Sequence, residues 1–444
     1  MSKFLKKNIY IKIAIVVITI LVLMIPVDMI ITLIEEREAV HLDAISEVSS
    51  KWARNQSITG PFICIPYSKV YQVTKDDSTY VNISSKREFL YIMPEYLQIN
   101  TDIKPEKRYR GIYEVVVYES KINIYANFGT IKLSDQNMEN HHFFFEKATL
   151  NIGITDLKGI EKQIKLKWNG RETIFNPGVS TDDIVRSGIN CPVNINTGND
   201  KEYQYSMSID LKGSQSLFFT PLGKTTDVEA RSSWENPSFD GEFLPDSREI
   251  SQNGFIAKWN ILHLNRNFPQ SWTGKQYSLE RSSFGVDLIV PVDRYLKTMR
   301  VAKYAILFLS LTFTVFFFVE ILKKVFIHPI QYFLVGVALV IFFSLLLSLT
   351  EHIIFNISYL IASLATIILI YLYILAILRS KQVALLLLGI LAVTFSFIFT
   401  IIQLQDYALL IGSIGIFAIL ALVMYVSRKI DWYDINISNN NAKE

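Results

Sequence analysis

The chain of 444 residues is 50% hydrophobic and nearly balanced in charge, with 44 Lys and Arg against 41 Asp and Glu and a formal net charge of +3. So even a balance gives no support to a nucleic-acid partner, and none is expected, nor does it support a strongly acidic substrate. No internal repeat with a period of about 20–50 residues is present.

At the N-terminus Lys3, Lys6, Lys7 and Lys12 precede or enter an apolar run from about Ile9 to Ile34. The positive-inside rule makes this end cytoplasmic. A cleaved signal peptide would have a shorter apolar region followed by small residues. Met29-Ile30-Ile31-Thr32-Leu33-Ile34 offers none, so residues 1–34 are expected to remain as a transmembrane anchor. Asp28 falls roughly 28 Å along such a helix, at its outer end. Beyond Glu35-Glu36-Arg37, the residues Val40, Ala44, Val48 and Trp52 recur every four positions. This predicts a stalk helix over 35–60, laid against the domain that follows and stopped by Thr59-Gly60-Pro61.

Between the first apolar run and the second lie about 265 residues, enough for one large soluble domain or two small ones. Strand-like segments separated by turn residues fill 61–300: Phe62–Tyr67, Phe89–Ile92, Gly111–Phe128, Phe143–Ile154, Ile164–Trp168, Tyr203–Leu211 and Leu217–Pro221. Thr225–Trp234, Gly254–Ile261 and Phe284–Pro291 follow. Alternation is clear in Ile122-Asn123-Ile124-Tyr125-Ala126-Asn127-Phe128, as in a strand with one wet face. Many short strands without helical crossovers predict an all-β, antiparallel, sandwich-like domain inserted between helices 1 and 2. Cys64 lies within the buried-strand pattern Phe62-Ile63-Cys64-Ile65 and is read as a small hydrophobe, although an oxidising compartment would allow a bridge to Cys191.

Lys297, Arg300 and Lys303 lead into a block of five apolar runs over 301–427, each about twenty residues long and able to span the ~30 Å core of a bilayer as a helix. Six transmembrane helices are therefore expected. Lys323-Lys324, Arg379 with Lys381, and Arg428-Lys429 mark the cytoplasmic turns, while Glu351 and Asp406 mark the outer ones. Both termini are then cytoplasmic, including the 428–444 tail, and the β domain lies outside.

No nucleotide loop, metal-spaced His/Cys set or nucleophile elbow appears, and no cofactor is expected. His141 and His142 would point to opposite faces of a strand. Four polar residues sit at the membrane interfaces: Glu320, His328, Glu351 and His352. Glu320 precedes Lys324 by four residues, the spacing of an exposed ion pair. His328 followed by Pro329 reads as a helix start. Gly412, Gly415, Ala418 and Ala421, and separately Ser358, Ala362 and Ala365, form stripes suited to close helix packing. No ionisable residue falls at the bilayer midplane, which weighs against ion-coupled transport.

Two polar-aromatic clusters in the outer domain are candidates for binding. One centres on Arg110 and Tyr113, the other on Asn265, Arg266, Gln270 and Trp272. Arginine forks beside aromatic rings suit a carbohydrate or carboxylate surface, or else a buried network that pins loops to the sandwich. The two clusters are expected to converge on one region.

Several long strings resemble the inner membrane protein CreD family, also called cell envelope integrity protein. They include Trp52 to Tyr67, Lys104 to Tyr118, Leu262 to Trp272 and Phe284 to Tyr304. His328 to Gly336, Leu345 to Phe355, Asp406 to Leu410 and Asp431-Trp432-Tyr433 complete the likeness. The resemblance implies a bacterial inner-membrane protein with a periplasmic domain, tied to envelope integrity and tolerance of envelope-directed colicins. In some members it implies control by a two-component sensor. It implies no catalytic residues and no ligand.

The expected function is non-catalytic. The bilayer is one partner, and an envelope component or envelope protein bound by the β domain is another. A transporter or flippase of an amphipathic substrate is one alternative. A periplasmic glycan-active enzyme, with Asp240 and Glu242 as candidate carboxylates, is the other.

Overall fold

A computed structural model of the chain describes residues 9–75, 78–83, 87–130, 141–195, 202–288, 293–323, 326–378, 380–404 and 407–428. It divides into two compact units, Met1–His41 with Val292–Glu444, and Leu42–Pro291.

The first unit is helical. Helix α1 (Ile9–Trp52), which belongs to this unit as far as His41, runs unbroken for 44 residues, about 66 Å at ~1.5 Å per residue. The same unit holds α2 (Asp293–Lys303), α3 (Ala305–Leu322), α4 (Pro329–Thr350), α5 (Phe355–Leu378), α6 (Lys381–Gln403) and α7 (Ala408–Ser427). Six of these, all but α2, are long and apolar enough to cross a membrane. The basic residues Lys297, Arg300 and Lys303 lie on α2, a helix of their own that Tyr304 separates from α3.

Aromatic packing builds the core of this unit. Phe308 of α3 lies 4.7 Å from Phe395 of α6, ring to ring, and Phe342 of α4 lies 4.9 Å from the same ring. Tyr359 of α5 donates its hydroxyl to the Phe395 carbonyl at 2.8 Å. Where α1 crosses α4, Gly336 makes room: a Cβ there would stand 2.1 Å from Leu23 Cδ1. His328 caps α4, its Nδ1 accepting from Ile330 N–H while Gln331 accepts from His328 N–H, with Pro329 in the first turn.

The small-residue stripes divide. Ser358 and Ala362 are buried, and a Cβ at Gly415 would strike Phe397. Ala365 of α5 is exposed, and so are Ala418 and Ala421, because α7 turns most of its surface away from the other described residues.

The second unit consists of two sheets. Eight strands run in the order Ser247–Ser251, Gly254–Leu262, Thr225–Ser232, Tyr96–Arg110, Tyr113–Phe128, Tyr203–Ser214, Lys165–Trp168 and Arg171–Ile174. An eleven-stranded sheet is organised around the long strand Gln56–Lys75, flanked by Thr149–Ile154 and Ser216–Thr220. Pairing is antiparallel apart from two neighbours that run parallel: Gln56–Lys75 with Ser216–Thr220, and Tyr96–Arg110 with Thr225–Ser232. The expected β domain between helices is present and mainly antiparallel, with these two parallel neighbours.

Alternation follows the two-residue strand period: Leu97, Ile99 and Ile103 are buried while Asn100, Asp102 and Lys104 are exposed. Inward residues of both sheets, among them Ile63, Leu150, Ile99, Ile124 and Trp259, form one hydrophobic cluster.

The α1 helix ends at Trp52, and Thr59-Gly60-Pro61 lies inside the strand that starts at Gln56. The expected helix stop is thus a strand segment. Cys64 pairs with Thr149 on one side of the strand Thr149–Ile154, and Cys191 pairs with Leu150 on the other. Two strand spacings, about 9.5 Å, separate the free thiols' backbones, beyond the ~7 Å reach of a disulfide.

Candidate functional site

The two polar-aromatic clusters do not meet. Arg110 closes the far end of the 15-residue strand Tyr96–Arg110. The Arg266 cluster lies beyond the strand's other end, where Gln270 Nε2 donates to the Pro94 carbonyl at 2.7 Å. The strand's ends are roughly 45 Å apart at ~3.3 Å per residue. The expectation of convergence is corrected by the length of this strand, which carries a charged run that does not read as one.

Arg266 is buried, 7% exposed. Its Nη1 donates to Phe268 O at 2.5 Å, and Nη2 to the carbonyls of Leu222 and Gly223 at 3.1 and 3.2 Å and to Gln270 Oε1. The guanidinium lies over the Phe268 ring at 4.0 Å. Burial pushes its pKa down to about 10, so it is still a cation at neutral pH. Asn265 Oδ1 accepts from Leu262 N–H at 3.0 Å and closes the adjoining turn. Trp272 is buried against Tyr91, Phe268 and Tyr277. This geometry anchors loops, and no face of Arg266 is open to a ligand.

At the other end, Gly111 (φ +61°) and Ile112 form the two-residue turn that joins Arg110 to Tyr113. Arg110 is exposed and its Nε meets Glu47 Oε2 at 2.9 Å. Hydrogen bonds from Lys51 and then from Arg110 hold the Glu47 carboxyl below its usual range. Trp52 lies between two cations, Arg108 at 3.9 Å and Lys212 at 4.3 Å from its ring. Tyr113 is buried at the base of the turn.

In the helical unit Glu320 departs from expectation. It is 6% exposed and forms an ion pair with Lys12 of α1. Tyr332 of α4 donates its hydroxyl to Oε2 at 3.0 Å, and Ile327 N–H donates to Oε1 at 3.1 Å. Glu320 is thus buried between helices rather than exposed as expected; Lys324, its expected partner, lies outside the described residues. Lys12 also stands 4.6 Å from the Phe326 ring. The space beside this cluster is about 10 Å³, room for a single water at most. Glu351 pairs with Arg37 at 3.5 Å, and His352 is exposed beside it.

His141 and His142 occupy a short strand in register with Lys69 and Ser68. Among the described residues no group of three or more His, Cys, Asp or Glu is placed to hold a metal. Asp240 stands opposite Gly285 and diagonal to Asp287, whose own register partner is Ser238. Burial, and then the charge of Asp240, hold the Asp287 carboxyl above its usual range.

A shallow, open groove rich in polar side chains lies on the outer face of the eight-stranded sheet. Register sets Asn100 opposite Asn123 and Asn123 opposite Ser208; in the next row Tyr125 faces Ser206, and Ser206 faces Lys167. Together with Lys165 and Glu172 these side chains line a groove of about 540 Å³, within the range of small-ligand sites.

Around the groove the same face is tied up internally. Tyr96 and Asn260 donate to Asp227 at 2.7 and 2.5 Å, Asn127 donates to Glu202 at 2.9 Å, and Lys162 pairs with Asp210 at 2.7 Å. Within it, Asn100, Asn123, Ser206 and Ser208 make no side-chain hydrogen bond among the described residues. Sequence reasoning saw the alternation of Ile122 to Phe128 but drew no site from its outward residues. The signal lay in which outward positions are amides and hydroxyls rather than ion pairs.

The chain matches the family described as Inner membrane protein CreD across residues 8–433. It is 32% identical over 428 residues to the Inner membrane protein CreD of Escherichia coli (strain K12), covering 96% of this chain and 94% of that one.

Proposed function

The chain belongs to the CreD family of inner membrane proteins, and from that premise we propose that it works without catalysis in maintaining the bacterial cell envelope. Its apolar helices hold it in the inner membrane, and the β unit, on the periplasmic side, binds an envelope component or partner protein. The observation that carries this reading is the groove over Asn100, Asn123 and Tyr125, whose amides and hydroxyls are unengaged while the surrounding face is bonded to itself. Polar side chains gathered in a site fix a ligand's orientation by such donors and acceptors. Lysines and arginines in the short turns at Lys323, Arg379 and Arg428 support cytoplasmic termini.

The test has two parts. Reporter fusions after Arg379 and at Glu444 should read cytoplasmic, and fusions near Asp200 periplasmic. A strain lacking the protein should lose tolerance to envelope stress, regain it with the wild-type chain, and fail to regain it with Asn123→Ala plus Tyr125→Ala. Full rescue by that double variant at normal abundance overturns the role of the groove.

A second reading, a glycan-active enzyme, is favoured by one observation, the raised carboxyl of Asp287 beside Asp240. It requires that Asp287→Asn abolish rescue while leaving abundance and ligand binding intact.

A further inference from the structure

We propose that the groove on the eight-stranded sheet is a glycan-binding site, taking a strand of pyranose sugars that carry hydroxyl and acetamido groups. This rests on the reading of the groove as the envelope-binding site and names the class of its ligand.

A solvated polar face is the ordinary condition of an antiparallel sheet, so polarity alone carries nothing. Three features distinguish this region. First, it is concave, about 540 Å³ in volume, with Gln163, Lys165, Lys167 and Glu172 along one wall. Second, its floor is a ladder of amides and hydroxyls in register across three strands: Asn100, Asn123 and Ser208, then Tyr125 and Ser206. Strands lie ~4.8 Å apart and like-facing residues ~6.6 Å apart along each strand, so the donors and acceptors form a lattice of short repeats. An amide supplies both donors and an acceptor, and a hydroxyl supplies both from one atom. That is the complement of a sugar ring, whose substituents are themselves hydroxyls and amides. Third, Tyr125 is 37% exposed in the middle of this lattice. Its ring offers an apolar platform to the C–H face of a pyranose, while its hydroxyl stays wet.

Charge separates this class from its rivals. The wall carries two lysines and one glutamate, and Lys165 lies 3.9 Å from Glu172. The remaining positive charge is slight. A polyphosphorylated headgroup is held by clusters of Lys and Arg, with arginine forks gripping its oxygens, and the groove has no arginine in its lining. An extended peptide docks on a sheet edge, where backbone groups are free. Here the floor is made of strands paired on both sides, Tyr113–Phe128 between Tyr96–Arg110 and Tyr203–Ser214.

The full-length protein in detergent micelles is the material for the test. Probes are N-acetylglucosamine hexamer, a hydroxyl-only glucose hexamer, purified sacculi, lipopolysaccharide vesicles and a detergent extract of envelope proteins. Asn123→Ala and Tyr125→Ala change exposed side chains, so melting should stay at the wild-type temperature and serves as the folding control. The expected result is saturable binding of a saccharide probe or of sacculi, weakened about tenfold or more by each variant. Saccharide binding that both variants leave unchanged overturns the site. Binding of lipopolysaccharide or an envelope protein that depends on Asn123 and Tyr125, with no saccharide binding, overturns the glycan class and leaves the groove as the envelope site. Absence of any groove-dependent binding overturns both.

Discussion

Tyr332 donates its phenolic hydroxyl to Glu320 at 3.0 Å while Lys12, 308 positions before Glu320, pairs with the same carboxylate. Three helices, α1, α3 and α4, are thereby joined at one carboxyl group that is 6% exposed. Removing it leaves the Tyr332 hydroxyl without its acceptor and Lys12, 21% exposed, without its partner. Glu320→Ala should therefore destabilise the helical unit by ~1–3 kcal/mol and lower its steady-state amount. Lys12→Met in the same chain should recover part of the loss. Thermal unfolding followed by size-exclusion chromatography in detergent measures both. Equal melting of wild type and Glu320→Ala would show that the pair holds nothing.

Arg266 offers a contrast with Arg110. Arg266→Ala removes the donor to three carbonyls and to Gln270 in a buried loop junction, and should cost ~3–5 kcal/mol. Arg110→Ala, at an exposed turn, should leave melting near that of the wild type. Melting curves of the two variants side by side decide it; a mild Arg266→Ala would mean that the loops hold without the guanidinium.

The pH response of Asp287 has a definite sign. Its folded-state carboxyl titrates above the usual carboxylate range, so ionisation opposes folding. That opposition is complete above the folded pKa, declines as the pH falls through it, and is gone below the unfolded value near ~3.9. Asp287→Asn should accordingly raise the melting temperature at pH 7, with the gain shrinking as the pH is lowered toward 4. A variant that melts earlier at pH 7 would contradict the assignment.

Both thiols are buried, and burial pushes each of them up from its ordinary range. A maleimide should label Cys64 and Cys191 slowly in the folded protein and fast after denaturation, with or without a reductant. Labelling of the denatured chain that needs a reductant would reveal a bridge.

Much of this architecture is legible in the residues, and the exceptions have physical causes. Length and apolarity suffice to mark a membrane span, because lipid leaves the backbone no alternative. Phe62 to Tyr67 reads as a strand for the same local reason, a continuous buried run. The strand Tyr96–Arg110 does not, since Pro105 and the charges of Lys104 to Arg110 resemble a loop; its pairing with Tyr113–Phe128 holds it straight. Lys12 reads as a topological charge near the N-terminus, and nothing local reports a partner on α3. Arg266 left two readings open because burial is decided by packing, not by neighbours in sequence. The groove escaped notice for a related reason: Asn123 and Ser208 become adjacent only through register.

The parallel pairing near the start of the long strand Gln56–Lys75 sets an order on biogenesis. Thr59 meets Thr220, hydroxyl to hydroxyl at 2.9 Å, across 161 positions of chain. The hairpin of Tyr96–Arg110 with Tyr113–Phe128 turns on two residues and can zip within microseconds of being synthesised. In the eleven-stranded sheet a similar hairpin joins the end of Gln56–Lys75 to Ser78–Ile83, but the first residues of that strand take a distant partner. The start of its organising strand must keep one flank open until a segment more than a hundred residues later has been synthesised. Through that interval an apolar edge that includes Ile58 is exposed to other chains. The demand for a chaperone should therefore fall during synthesis rather than in the finished protein.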